Sequence, residues 1–193
     1  MLSMLAADLK RRGELDGNTV VVTVMSNIGM DRFAEKESIQ LKKTQVGDRY
    51  VLEEMLNGGY ILGGEQSGHM IFLREATTGD GMLSALHLLK ALKKSGKKLS
   101  EFHQIMTKYP QLLRNVTVSN ASKSQVLKDV EIAALAEKIS AELEGRGRLL
   151  LRPSGTEPYV RIMLEGEDLS ELERMSGALA QLITTRFGVQ EAQ

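Results

Sequence analysis

The sequence has no cysteine, only three prolines, no excess of either charge and no long apolar run. Without cysteine there is no disulfide framework, no thiolate metal site and no thiol nucleophile, and a reducing cytoplasm is the comfortable setting. The few prolines, with 42% hydrophobic and 26% charged residues, exclude a disordered or fibrous chain. Lysine plus arginine number 25 and aspartate plus glutamate 25, so no global field draws the chain to nucleic acid or to an anionic membrane. Any phosphate must be held locally. No apolar stretch approaches the roughly 18 residues that span a bilayer. The opening Met1–Gly13 carries its basic residues after its apolar ones, the reverse of a signal peptide, and a cytoplasmic protein is expected. A length of 193 residues allows one large core or two modest ones, and two fit better.

Periodicity predicts strand and helix in alternation through the first half. Leu2, Leu5, Ala6 and Leu9 recur at helical spacing up to Gly13, and the β-branched run Thr19–Val24 reads as a strand buried on both faces. A helix near 30–38, a strand through Val46, a helix from Gly47-Asp48 to Gly58-Gly59, and strands at 60–62 and 70–73 follow. A further helix is predicted to bury Met82, Leu83, Leu86, Leu89 and Leu92. The methionines, Met82, Met106 and Met175 among them, read as core filler. The pattern changes at Tyr109-Pro110, which sets domains at 1–109 and 110–193. The second half reads β-α-β-β-α, its last helix opened by a Ser170-x-x-Glu173 capping box. The expected architecture is an α/β domain, with helices on a mixed or parallel layered sheet, followed by a small α+β domain.

Two segments carry chemistry. In RPSGTEP (residues 152–158), the N–H groups of Ser154, Gly155 and Thr156 can turn inward as an anion nest. Arg152 offers a planar fork for phosphate oxygens, and Arg161 a second positive charge. The same residues would also make a solvated polar hairpin. In GGEQSGH (63–69), glycines allow close backbone approach, while Glu65, Ser67 and His69 offer the mixed donors and acceptors that sugar hydroxyls need. A glycine-rich turn with His69 at its edge is the alternative. Glu65 and His69 lack a third ligand nearby, so no metal site is expected, and His87 and His103 fall in helices. Asp48 and Asp80 read as helix caps, with Arg49 able to face a substrate. Lys93–Lys98 read as a solvated helix end.

The order GGEQSGH, strand, TTGDG and helix, then RPSGTEP some eighty residues later, resembles the C-terminal part of the α-D-phosphohexomutase superfamily over essentially the whole chain. Gln66 favours the branch acting on glucosamine phosphates over phosphomannomutase and phosphoglucomutase relatives, which often carry methionine there. The resemblance implies a four-domain isomerase that interconverts glucosamine 6-phosphate and glucosamine 1-phosphate through a bisphosphate. A phosphoserine on the first domain and Mg2+ on an aspartate loop of the second would drive the reaction. It further implies that Glu65 and Ser67 grip sugar hydroxyls and His69 is a possible proton acceptor. Arg152, Ser154, Gly155, Thr156 and Arg161 would hold the phosphate that is not reacting. Neither the serine loop nor the Asp-Gly-Asp-x-Asp-Arg metal loop occurs in this sequence. The chain therefore resembles the third and fourth domains, which would need the N-terminal domains as partners and should bind a sugar phosphate without turning it over. A stand-alone sugar-phosphate-binding module is the alternative in another class.

Overall fold

The β-branched run Thr19-Val-Val-Val-Thr23 forms β1, buried at all five positions, and the first half of the chain is built around it. The computed structural model describes residues 1–188. It divides into two units, Met1–Lys108 and the chain from Tyr109 onward.

In the first unit α1 (Leu2–Arg11) precedes β1, and α2 (Ile28–Lys36) connects β1 to β2 (Gln40–Thr44). Next, α3 (Asp48–Gly58) leads to β3 (Leu62–Gly64), which pairs antiparallel with β4 (Met70–Phe72). Strand order is β2-β1-β3-β4, with β1 parallel to both neighbours, so the expected mixed layered sheet is present. Alternation along β1 explains the layers. Val20 and Val22 enter a cluster with Leu5, Leu9, Met30 and Phe33 of α1 and α2. Val21 points the other way, into a cluster with Val51 and Met55 of α3. Each fully buried aliphatic side chain of this kind contributes roughly 1.5–3 kcal/mol. Since β2 and β3 flank β1 on opposite sides, the chain reverses direction at β1. The carboxyl ends of β1 and β3 therefore diverge around a crevice, the position where such sheets bind ligands.

Three local expectations shift. The strand predicted at Tyr60–Leu62 lies two residues later, so Gly63 and Gly64 belong to β3; a Cβ on Gly63 would stand 2.5 Å from Met55 Sδ, and glycine lets α3 lie close on the sheet. Asp48 is the first residue of α3 rather than its cap, which is Gly47. The helix α4 (Gly81–Ser95) is present, with Asp80 Oδ1 accepting from Met82 N and Leu83 N, but a different face is inward. Met82 (80% exposed), Leu86 (63%) and Leu89 (60%) face outward, so Met82 is not core filler. Ser84 and Ala91 are buried instead, with Leu88 and Leu92 packed beside Met4 and Phe102. The short α5 (Leu99–Phe102) and two 3-10 turns, Asp16–Asn18 ahead of β1 and His103–Ile105 after α5, complete this unit.

In the second unit β5 (Gln111–Thr117), β6 (Arg148–Pro153) and β7 (Tyr159–Glu165) form an antiparallel sheet of order β5-β7-β6. The helices are α6 (Lys123–Val126), α7 (Val130–Glu142) and α8 (Leu169–Phe187). The predicted β-α-β-β-α order holds, with the four-residue α6 added ahead of α7. Ile132 and Ile139 of α7, and Leu172, Met175, Leu179 and Ile183 of α8, pack on Val116, Val160, Ile162 and Leu164. The last helix begins at Leu169, capped by Asp168 Oδ1 on Ser170 N and Glu171 N, not by Ser170. A carboxylate answers both the free N–H groups and the positive helix end. Among the described residues no helix is long and apolar enough to cross a membrane.

Candidate functional site

Residues 65–69 close the β3–β4 hairpin at the crevice of the first unit. Glu65 N donates to His69 O and Gly68 N to Glu65 O, and Gly68 takes φ 98°, a backbone state in which a side chain is strained. Glu65 Oε1 accepts from Gly47 N at 2.9 Å, which ties the loop before α3 to this hairpin. Thr23, fully buried at the end of β1, accepts from Met25 N at 3.3 Å and donates to Gln66 Oε1 at 3.2 Å. In this arrangement the Gln66 amide turns its NH2 away from Thr23.

The hairpin presents its groups to two cavities. One, about 320 Å3, is lined by Glu65 and Gln66 with Ser26, Asn27 and Met30 at the start of α2. The other, about 300 Å3, is lined by Ser67 and His69 with Asp80 and Gly81 at the start of α4. Ser67 Oγ and His69 Nδ1 are 3.1 Å apart. The structure thus separates Glu65 from the Ser67–His69 pair, with Gly68 shared between the two cavities. Arg49 lies exposed in the first turn of α3, its N–H on Asp48 Oδ1. His87 stacks on Phe72 with ring centroids 3.9 Å apart, away from this hairpin's polar groups.

In the second unit the β6–β7 register places Arg152 directly opposite Arg161, and the β5–β7 register places Asn115 opposite Arg161. The three form one row on the sheet face that α7 and α8 leave uncovered. Arg161 pairs with Glu157, yet its Nε is buried with no hydrogen-bond partner. The guanidinium of Arg152, half-buried, makes no hydrogen bond or ion pair among the described residues. Burial, and then the facing charge of Arg161, hold the Arg152 guanidinium below its ordinary pKa. Like charges at directly opposed positions destabilise a sheet, so this pair is costly to the fold.

In the adjoining loop the three N–H groups expected to act together differ in their engagement. Ser154 is buried, and its N–H donates to Tyr159 O at 2.8 Å, so that group serves the hairpin. Its Oγ accepts from Glu157 N. The N–H groups of Gly155 and Thr156 have no acceptor among the described residues. Of the three, only these two are left unengaged within the described chain.

Residues 1–109 match the family described as phosphoglucomutase/phosphomannomutase, alpha/beta/alpha domain III, and residues 113–182 match its C-terminal domain. The chain belongs to the phosphoglucomutase/phosphomannomutase family. It is 52% identical over 187 residues to a phosphoglucosamine mutase of Caldanaerobacter subterraneus subsp. tengcongensis, covering 97% of this chain and 42% of that protein. It is 54% identical over 183 residues to the phosphoglucosamine mutase of Clostridium tetani, covering 95% and 41%. The chain therefore spans about two fifths of the length of these relatives. Among solved structures, an Aspergillus fumigatus N-acetylphosphoglucosamine mutase superposes with TM-score 0.75 at 20% identity, over 97% of this chain and 43% of that one. The same enzyme in complex with GlcNAc-6P and magnesium gives 0.73 at 19%, over 94% and 42%. These structures support the fold. Among the described residues of this family member no three His, Asp or Glu side chains converge to hold a metal ion.

Sequence reasoning did not find Thr23, Gly47, Asn115 or Lys123. Thr23 and Asn115 sit inside strands where only register and pairing give them a role. Gly47 meets Glu65 across 18 positions. Lys123 Nζ donates to Ser154 O and Glu157 O, both at 2.8 Å, from 31 and 34 positions away. No local pattern marks such a contact.

Proposed function

We propose that this chain supplies the sugar-recognition and phosphate-anchoring domains of a phosphoglucosamine mutase, which interconverts glucosamine 6-phosphate and glucosamine 1-phosphate through a bisphosphate. The observation that carries the reading is Arg152: half-buried, its guanidinium without a partner among the described residues, opposed to Arg161, and next to the two unengaged N–H groups of Gly155 and Thr156. A phosphate dianion would satisfy all of these groups and relieve the like-charge opposition. Phosphoryl transfer depends mainly on positioning and charge stabilisation, so an anchor on the idle phosphate orients the other end of the sugar.

In this reading Glu65 and Ser67 bind sugar hydroxyls from the 63–69 hairpin. Glu65 Oε1 is held by Gly47 N, which leaves Oε2 for the ligand. His69 accepts a proton at Nε2 when its neutral ring is protonated at Nδ1, with Ser67 Oγ receiving that N–H. The glucosamine assignment is supported by the relatives' names and by Gln66. The nucleophilic serine and the magnesium loop would come from N-terminal domains, and a cysteine-free chain suits a cytoplasmic setting. Titrating the 193-residue chain with glucosamine 6-phosphate, followed by amide chemical shifts, tests this. Gly155 and Thr156 should respond together with Gly47 and Gly68. Silence at residues 155 and 156 with saturating ligand would remove the anchor. In a chimaera joining this chain to the N-terminal part of the Caldanaerobacter relative, His69→Ala should lower kcat more than it raises KM, and Glu65→Ala should weaken sugar discrimination.

A further inference from the structure

The loop that carries Gly155 and Thr156 is held from outside its own hairpin. Lys123 opens α6, and its position is fixed at both ends of that short helix. Ser119 Oγ and Ser122 Oγ lie 2.7 Å apart, and Ser122 N donates to Ser119 Oγ, which shapes the turn into α6. Val126, at the last helical position, is fully buried within the core shared by β7 and α8. From this base the Lys123 ammonium reaches Ser154 O and Glu157 O at 2.8 Å each, bracketing the two residues whose N–H groups are unengaged.

The geometry points to Lys123 as a positioning residue for phosphate binding, acting through the Ser154–Gly155 peptide. A peptide unit is planar and trans, so its C=O and N–H point in opposite directions. Fixing Ser154 O on the ammonium therefore fixes Gly155 N–H away from Lys123. The second bond, to Glu157 O, sets the far end of the loop, where the same oxygen also accepts from Tyr159 N. The ammonium thus lies on the carbonyl side of the loop and the anion on the N–H side. Lys123 orients a donor without itself being the ligand. The ligand class is a phosphate monoester dianion, and this inference rests on the anchor reading given above.

The test uses the 193-residue chain, with inorganic phosphate and glucosamine 6-phosphate as probes, and compares Lys123→Met, Lys123→Gln, Lys123→Arg and Arg152→Met. Dissociation constants come from amide-shift titrations, and folding from thermal melting. Lys123→Met keeps the aliphatic stem and loses both carbonyl bonds. It should weaken both probes about tenfold, the equivalent of losing most of one hydrogen bond to a charged group, and shift the Gly155 amide of the unliganded chain. Lys123→Gln keeps an NH2 group on a shorter side chain without the charge and should lie between, so it decides the matter if the methionine variant does not fold. Lys123→Arg should bind within about threefold of the parent, because it can still meet two carbonyls. A purely structural role predicts a lower melting temperature with unchanged dissociation constants. If Arg152→Met weakens binding while Lys123→Met and Lys123→Gln bind as the parent does, the Lys123 assignment is overturned and the anchor stands. If Arg152→Met also binds as the parent does, the anchor fails and this assignment with it.

Discussion

Replacing Arg152 by methionine should make the second unit more stable and at the same time nearly indifferent to phosphate. The side chain lies opposite Arg161 at a directly paired position, and such like-charge pairs cost about 0.2–1 kcal/mol. Methionine keeps the apolar stem in place and removes the charge. For a domain of 60–100 residues, about 1 kcal/mol moves Tm by roughly 4–8 °C, so the variant should melt roughly 1–8 °C above the parent in chloride buffer. Adding phosphate to about ten times the parent's Kd stabilises the parent by about 1.4 kcal/mol. The variant, lacking one charge-assisted bond of about 1.5–3 kcal/mol, binds at least about tenfold more weakly. It should gain no more than about 0.4 kcal/mol at the same concentration. The order of melting should therefore close or invert between chloride and phosphate at matched ionic strength. Calorimetry, with the second unit's transition assigned from the Val160 and Ile162 amides, reads both arms. The reasoning is refuted if the variant melts below the parent in chloride, or if phosphate raises both by the same amount.

Three other outcomes are expected. The 193-residue chain, given glucosamine 6-phosphate, magnesium and a bisphosphate activator, should show no turnover above a protein-free control, because the serine and aspartate loops do not occur in it; a measurable rate would contradict this. Changing Met82, Leu86 and Leu89 together to glutamine should leave the first unit's unfolding free energy, read by denaturant titration, within about 0.5 kcal/mol of the parent, since all three are exposed. Ala91→Leu, at a fully buried position, should cost about 1–3 kcal/mol by overpacking, and the reverse ranking would place the apolar face of α4 where the sequence suggests. The cap of α7 should appear in acid. Desolvation pushes the Asp129 carboxyl up, but the Ile132 N–H, the Arg186 guanidinium and the Glu131 N–H outweigh it, so its pKa lies below the ordinary value. The stability it adds is complete above the unfolded value of about 3.9 and lost as pH falls through the folded one. Asp129→Asn should therefore lower stability at pH 6 and flatten its fall below pH 4, and an unchanged acid profile would rule out the carboxylate's contribution.

The sequence by itself determined the order and type of nearly every element, because periodicity, caps and glycine stops are local. Leu2–Leu9, Thr19–Val24 and the helix ended by Gly59 fall where short-range spacing puts them. The two loops that matter were legible for the same reason, as glycine and polar donors clustered between strands. Where two local solutions are equally good, sequence could not choose. On α4 both 82/86/89 and 84/88/91 satisfy the helical repeat, and only packing against Met4 and Phe102 selects the second. Before α8, Asp168 and Ser170 can each cap, and the charged group prevails. What only the tertiary structure decided is partnership. Arg152 faces Arg161 because of the β6–β7 register. Glu65 holds Gly47, and Thr23 holds Gln66, because parallel strands bring distant loops to one edge of the sheet. Lys123 reaches Ser154 O and Glu157 O across the fold. Contacts of this kind join residues far apart in the chain, and no spacing rule along the sequence encodes them.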